Sequence, residues 1–416
     1  MRDTELYAQI LGVRAPWMVH RVALQLEGGA VEVFVEYGCD AAERLACPEC
    51  GKAARRYDTR QRRWRHLDTC QYRTILVAAV PRVQCPEHGV KTIGVPWSEP
   101  GSSFTALLEA LVIDWLQEAT TTAVARRLGL TWDQVDGVMQ RAVRRGLARR
   151  VLSVPRRLGV DETSFQKRHE YVTVVADLDS GVVHHVADGK GKASLAAYYE
   201  GFSQAELATV ETVAMDMSGA FIAATQEALP EADRKIAFDK FHVAMHLGQA
   251  VDRVRREENR ALRQKGDDTL RRTRHLWLFS PDNLPEQHRD HLEKLVAKAL
   301  KTSRAWALKE LAMEMWEGCD RQAATVIFEG WYQWAIRSRL APIKSVARTL
   351  KRHLTGILNA IASGLTNARL EGINTVIQNL KRAARGFRNR HRFRNAIYFH
   401  LGGLQLYPDG ITHSGS

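Results

Sequence analysis

The sequence predicts an α/β chain of several domains, in which a mixed-sheet core follows a cysteine-rich module and a helical module. Three observations predict it. Two cysteine-bearing knuckles flank stretches that read as strands, near residues 47–88. Apolar residues then recur at helix spacing from Phe104. From Arg157 onward short apolar strands alternate with helices, and two of those strands end in aspartate.

The chain has 416 residues, room for about two to four domains. Hydrophobic residues make up 45% and charged residues 26%, enough to bury sizeable cores. The longest apolar runs fall well short of the roughly 20 residues of a membrane span. Met1-Arg2-Asp3-Thr4-Glu5 lacks the basic then apolar pattern of a secretory signal. A cytoplasmic location is the default expectation. Lys and Arg outnumber Asp and Glu by 60 to 47, a net charge of +13, which suits nucleic acid or an acidic membrane surface as partner. Placement sharpens this. Between Gly372 and Pro408 there is no acid, while Lys381, Arg382, Arg385, Arg388, Arg390, Arg392 and Arg394 all occur. A second run comprises Arg141, Arg144, Arg145, Arg149, Arg150, Arg156 and Arg157. One-sided runs of this kind suit phosphate contact.

Six cysteines in so long a chain do not suggest a disulfide scaffold. Cys47-Pro48-Glu49-Cys50-Gly51 and Cys85-Pro86-Glu87-His88-Gly89 have the spacing of zinc knuckles. Together Cys47, Cys50, Cys85 and His88 supply a closed tetrahedral set for one structural Zn²⁺. The segments 62–67 and 74–80 between them read as strands, so a zinc ribbon is expected at about 45–92, within an N-terminal region 1–100. Cys39, Cys70 and His66 lack a paired knuckle and are read as non-ligands.

The helical module is expected at 101–152. Phe104, Leu107, Leu108, Leu111, Val112 and Trp115 mark its first helix. Residues 120–135 then read as helix, turn, helix, with Gly129 at the sharp turn. Thr131 caps the last helix, and Gln134 completes a capping box. Val124, Leu128, Leu130 and Val135 would pack the pair together. The helix from about 132 to 145 would be a recognition helix in a DNA groove. Arg126, Arg127, Trp132, Gln134, Arg141 and Arg145 are its candidate DNA contacts, with an ordinary αα-hairpin as the alternative.

In the core, 158–162, 171–176, 182–186, 209–216 and 235–238 read as five strands, with helices at about 192–200 and 219–228. A three-strand meander followed by two strands alternating with helices is the order of the ribonuclease-H-like fold. Its first and fourth strands are neighbours, which would set Asp161 against Asp216. Carboxylates held close repel unless a divalent cation lies between them, so a metal site for phosphoryl transfer is expected. A third acid should come from a later helix. Glu371 is the one acid in the stretch 367–374, just before the acid-free tract. Glu162, Asp177, Asp179, Asp188 and Asp239 compete for these roles, although Asp177 and Asp179 beside Gly181 look like turn formers.

Gly159-Val160-Asp161-Glu162, Ala214-Met215-Asp216-Met217-Ser218, Phe238-Asp239-Lys240-Phe241-His242-Val243, and Asn367 to Asn374 followed by Lys381 and Gly386-Phe387-Arg388-Asn389 resemble the ISL-three family of bacterial insertion-sequence transposases. The likeness covers roughly residues 40 to 405, with the zinc and helical modules in the same order. It implies a catalytic triad Asp161, Asp216 and Glu371 holding two Mg²⁺, with Mn²⁺ able to substitute. It implies a core at 153–242 and 366–405, a helical insertion at 243–365 and a tail at 406–416. It further implies cleavage at terminal inverted repeats, transfer of 3′-hydroxyl ends to target DNA, and a homodimer or larger assembly on double-stranded DNA. Members share the Asp-X-Phe-His pattern, so His242 either contacts DNA or braces the sheet edge. Lys381, Arg382, Arg385, Arg388 and Arg392 are expected to grip phosphates.

Overall fold

The computed structural model describes residues 2–38, 44–166, 170–280, 284–318, 320–364 and 368–411. Cys39, read above as a non-ligand, and Asn367 of the last motif lie outside the described residues. The chain forms two compact units, Met1–Arg150 with Leu404–Ser416, and Val151–Gly403.

The first unit opens with helix α1 (Asp3–Ile10) and strands β1 (Trp17–Gln25), β2 (Ala30–Tyr37), β3 (Leu45–Ala46), β4 (Ala53–Arg65), β5 (Arg73–Cys85) and β6 (Gly89–Thr92). They form one sheet of order β1-β2-β5-β4-β3, with β6 also pairing with β5. Val31, Val33 and Val35 alternate inward and pack with Leu76, Ala78, Val80 and three tryptophans. Trp17 and Trp64 each meet Trp97 edge-on, at 4.8 and 5.5 Å, a favoured aromatic geometry.

The helical module of that unit is α2 (Ala106–Glu118), α3 (Thr121–Leu128) and α4 (Trp132–Arg149). Gly129 ends α3 with φ of +62°, a left-handed conformation that glycine adopts without strain. Thr131 accepts from the Gln134 N–H at 3.2 Å, and the Gln134 side chain accepts from the Thr131 N–H at 2.9 Å, the expected capping box. Val124 and Val135 are buried as expected, while Leu128 and Leu130 are half-buried. The tail from Leu404 packs onto α4. The Arg145 guanidinium donates to the Leu406 carbonyl at 2.6 Å, and Tyr407 donates to Asp114.

The second unit is built on β7 (Arg157–Gln166), β8 (Glu170–Asp177), β9 (Val183–Asp188), β10 (Thr212–Met215) and β11 (Ile236–Phe238), with α5 (Lys192–Tyr199), α6 (Gln204–Ala208), α7 (Gly219–Ala228) and α8 (Ala232–Lys235) between them. The sheet order is β11-β10-β7-β8-β9. The meander β7–β8–β9 is antiparallel, while β10 and β11 run parallel to β7. The first and fourth strands are therefore neighbours, as the strand order predicted.

Helices α9 (Lys240–Arg263), α10 (Arg274–Leu278), α11 (Glu286–Val296), α12 (Lys301–Met313), α13 (Arg321–Arg337), α14 (Ala341–Arg352) and α15 (Leu354–Ser363) follow. Their apolar faces share one core with Leu158, Val160, Val213 and Met215 of the sheet. The opposite sheet face is covered by α16 (Ala368–Ala383) and α17 (Arg390–Leu401). There Ile373, Ile377, Phe393 and Ile397 pack on Val172, Val174 and Ala176. Gly159 lets α16 come close: a Cβ there would lie 3.1 Å from a Leu370 methyl and 2.6 Å from a Leu178 methyl. Among the described residues no helix is long and apolar enough to cross a membrane.

Candidate metal centres and nucleic-acid interface

The two knuckles converge. Cys47, Cys50, Cys85 and His88 place their donor atoms within 4.8 Å of one another. The Cys50 and Cys85 sulfurs are 3.7 Å apart, and His88 Nδ1 lies 3.6 Å from Cys85 and 4.0 Å from Cys47. Thiolates about 2.3 Å from a tetrahedral zinc stand about 3.8 Å from each other, so the spacing fits one such ion. Gly51 and Gly89 have φ of +71° and +68°, the left-handed turn each knuckle needs. The hydrogen bond from His88 draws the Cys85 thiol down to about 6, toward the thiolate that binds metal. Cys70 is exposed and outside the set. His66 is buried, shares a hydrogen bond with Thr105 at 2.9 Å, and has its basicity lowered to about 4 by that burial.

The second candidate lies where β10 and β11 end, beside the middle of β7, which runs on past Asp161 to Gln166 and is longer than the short acid-ended strand expected. Val213 and Ala214 of β10 pair with Leu158 and Gly159 of β7, and Met215 pairs with Phe238 of β11. Continued by one or two residues, that register aligns Asp161, Asp216 and Asp239 in a row. Burial pushes the Asp161 carboxyl above its usual range, opposed by the Glu162 N–H and Asn374 bonds and by His242, and abetted by Asp216. Asp161 Oδ1 accepts from the Glu162 N–H at 2.7 Å, and Oδ2 accepts from the Asn374 amide. Asp216 Oδ1 accepts from the Ser218 N–H at 3.1 Å. Asp239 caps α9 through the Phe241 N–H at 2.9 Å and pairs with His242 Nδ1 at 3.5 Å. That contact, with the charges of Asp216 and Asp161, raises the His242 basicity.

Glu371 is exposed in the first turn of α16, one turn before Asn374. Its carboxylate has no hydrogen-bond or ion-pair partner among the described residues. The three acids are not drawn within 4.8 Å of one another; among the described residues the cysteine–histidine set alone meets that spacing. The competing acids have other occupations. Glu162 pairs with Lys190 at 3.2 Å. Asp177 accepts from the Asp179 N–H at 2.8 Å, the turn role read for it, and Asp188 faces Arg394 at 3.7 Å.

The basic runs need correction. Arg141 lies against the buried Glu109, with Nε 2.8 Å from its carboxylate, and Arg145 is buried between Glu99 and the Leu406 carbonyl. Both guanidiniums are engaged by the unit's own groups: α4 is longer than expected, and this side of it faces the unit's interior. Arg149, Arg156 and Arg157 are likewise paired, with Asp409, Glu211 and Asp179. Sequence spacing could not reveal these distant acids. Arg126 and Arg127 are exposed, as are Trp132 and Gln134. The Arg127 guanidinium stacks 4.7 Å from the Trp115 ring. In the acid-free tract Arg382, Arg385 and Arg388 are exposed and Arg392 is half-buried. Lys381 is turned inward, its ammonium donating to the Ser164 carbonyl, and Arg390 pairs with Glu170 at 3.3 Å.

Arg141→Ala is expected to destabilise the chain by about 3 kcal/mol, because it strips the partner from a buried carboxylate. Its affinity for DNA should hardly change. Urea unfolding and a binding titration check the pair of outcomes; an unchanged midpoint with weakened binding would restore Arg141 to the interface.

Residues 158–397, more than half of the chain, match the ISL3 family described as transposase. The chain belongs to the ISL3 transposase family. Residues 43–88 match the zinc finger of the IS204, IS1001, IS1096 and IS1165 transposases, and residues 95–143 match the helix-turn-helix domain of transposase family ISL3. The chain is 28% identical over 419 residues to the transposase for insertion sequence element IS1557 of Mycobacterium tuberculosis, covering 94% of this chain and 93% of that one. It is 29% identical over 359 residues to the transposase for insertion sequence element IS1001 of Bordetella parapertussis, covering 85% and 87%. The ISL3 match spans Asp161, Asp216, Glu371 and the exposed arginines after it. Asn374, which spacing alone did not single out, donates to the Asp161 carboxylate and lies inside the quoted motif, one turn beyond Glu371.

Proposed function

We propose that this transposase binds the terminal inverted repeats of an insertion sequence, cuts the DNA at the element ends, and joins the freed 3′-hydroxyls to target DNA. The observation that carries the reading is the alignment of Asp161 on β7 with Asp216 just past the end of its parallel neighbour β10, with Asp161 hydrogen-bonded to the helix that bears Glu371. The strand order β11-β10-β7-β8-β9 supports a ribonuclease-H-like core, with α9 to α15 as its helical insertion.

The residues present fit Mg²⁺. They offer hard carboxylate oxygens, and Asn374 Oδ1 is buried without a partner among the described residues. Asp161, Asp216 and Glu371 would hold two Mg²⁺, which supply charge neutralisation at a phosphodiester and an activated nucleophile. The chain's own part is to keep Asp161 and Asp216 close despite their repulsion. The half-buried Asp161 carboxylate accepts two hydrogen bonds, one on each oxygen. His242, made more basic by Asp239, stands near the carboxylates and would suit a DNA phosphate there. The zinc-bound knuckles would stiffen the ribbon, and Arg126, Arg127, Trp132 and Gln134 would face the DNA ends. Two element ends must be held together for transfer, so a homodimer or larger assembly is the working form, the symmetric arrangement presenting two equal sites.

Incubation of end-containing DNA with the chain and Mg²⁺ tests the reading. Nicks at the element ends and joined strand-transfer products are expected. Binding without nicking would make the chain a regulator, and nicking without joining a nuclease.

Arg382, Arg385 and Arg388 would sit against phosphates near the cut, since α16 carries Glu371 and leads into them. Changing all three to Ala should weaken binding to any DNA sequence alike. The log–log salt dependence should flatten by about 0.9 for each phosphate no longer neutralised. An unaltered slope would mark these arginines as a solvated face.

A further inference from the structure

The side of α16 that carries Glu371 is joined to β7 by three hydrogen bonds in order. The Asn374 amide donates to the Asp161 carboxylate, Gln378 Nε2 donates to Thr163 Oγ1 at 2.9 Å, and the Lys381 ammonium donates to the Ser164 carbonyl. Positions 374, 378 and 381 lie on one helix side, spaced four and then three apart. Four helical residues rise about 6 Å, close to the roughly 6.6 Å of two strand residues, so the first two bonds stay level. Glu371 continues the same side, three positions earlier.

The bond at Asn374 differs from the other two in what it touches. Gln378 and Lys381 reach a hydroxyl and a backbone carbonyl. Asn374 reaches a carboxylate whose other oxygen is already held by the Glu162 N–H. An ionised carboxylate only accepts, so the Asn374 amide must present its N–H₂ to Asp161. Its own oxygen is then left buried without a partner, a costly arrangement of the kind that persists where a function uses it.

We propose that Asn374 is a positioning residue: it orients the Asp161 carboxylate for a divalent cation and ties that orientation to the helix that carries Glu371. The inference rests on the reading of Asp161 as a metal-holding residue. Partners of this kind behind a ligand typically change metal affinity by about 10- to 100-fold when removed.

The test is Mn²⁺ binding to the zinc-loaded full chain, followed by the electron-spin resonance of free Mn²⁺, with thermal melting alongside. Asn374→Ala should weaken Mn²⁺ binding by about tenfold or more. Gln378→Ala removes a neighbouring hydrogen bond of the same helix and should leave Mn²⁺ affinity within about twofold of the parent. Should the alanine variant not fold, Asn374→Ser is read on the same scale. Parent-like Mn²⁺ affinity in the Asn374 variant, or an equal loss in Gln378→Ala, would reduce Asn374 to a docking residue. Asp161→Asn separates the two levels. If it binds Mn²⁺ like the parent, the metal-site reading itself fails; if it loses Mn²⁺ while the Asn374 variant does not, the positioning role alone fails.

Discussion

Asp161→Asn, Asp216→Asn and Glu371→Gln are each expected to lower the rate of end cleavage by about 10³-fold or more, with binding to element ends nearly unchanged. A loss of that size corresponds to about 4 kcal/mol of transition-state stabilisation, within what metal-held charge supplies. The amide replacements keep side-chain volume, so packing should survive. Stability has its own expected sign at Asp161. Burial raises its folded-state pKa, so the folded chain holds the proton more tightly than the unfolded chain does. Stability is therefore lost as pH rises from the ordinary carboxylate range through the raised value. Asp161→Asn removes that cost, and the variant should melt no lower than the parent near neutral pH. A variant that cuts at the parental rate would remove its residue from the site. An inactive Asp161→Asn that also melts far lower would point to a structural cause instead.

Cys47→Ser or Cys85→Ser should abolish zinc binding and unfold the knuckle end of the first unit. The reason is the small core there. Around the knuckles Leu45, Ala54 and Val83 form a separate cluster, worth only a few kcal/mol at about 25 cal/mol per Å². A structural zinc contributes about 10–16 kcal/mol in comparable peptides. The Trp17, Trp64 and Trp97 cluster is built on other residues and should survive. Parental chain should carry one zinc by elemental analysis. In the variants, hydrogen exchange at residues 44–56 should become fast while tryptophan fluorescence stays native-like, and affinity for element ends should fall. Native protection at the knuckles without zinc would contradict the structural role.

Much of this was legible in the sequence because the signals are local. The knuckles, the Thr131–Gln134 capping box and the glycine turn at Gly129 each need residues only a few positions apart. The core reads as a three-strand meander and then two strands alternating with helices, and that order set Asp161 against Asp216. The sheet of β1 and β2 went unread, although the alternation of Val31, Val33 and Val35 is a period-two signal. The pairing of the α4 arginines Arg141 and Arg145 went unread for a different reason. Arg141 and Arg145 meet Glu109, Glu99 and Leu406, partners 32 to 261 positions away, and a run of like charge says nothing about such partners. Asn374 was hidden similarly: its bond to Asp161 spans 213 positions, and only the docking of α16 on β7 brings the two together.

The most direct test of the central claim, that Asp161, Asp216 and Glu371 hold the divalent metal that cuts DNA, is anomalous scattering from crystals of the transposase bound to end DNA and Mn²⁺. Mn²⁺ should appear in contact with carboxylate oxygens of Asp161 and Asp216, with Glu371 drawn in to complete the set, at oxygen distances near 2.2 Å, roughly the range of divalent metals on carboxylates. Mn²⁺ bound to DNA or elsewhere on the protein, with these carboxylates bare, would contradict the account.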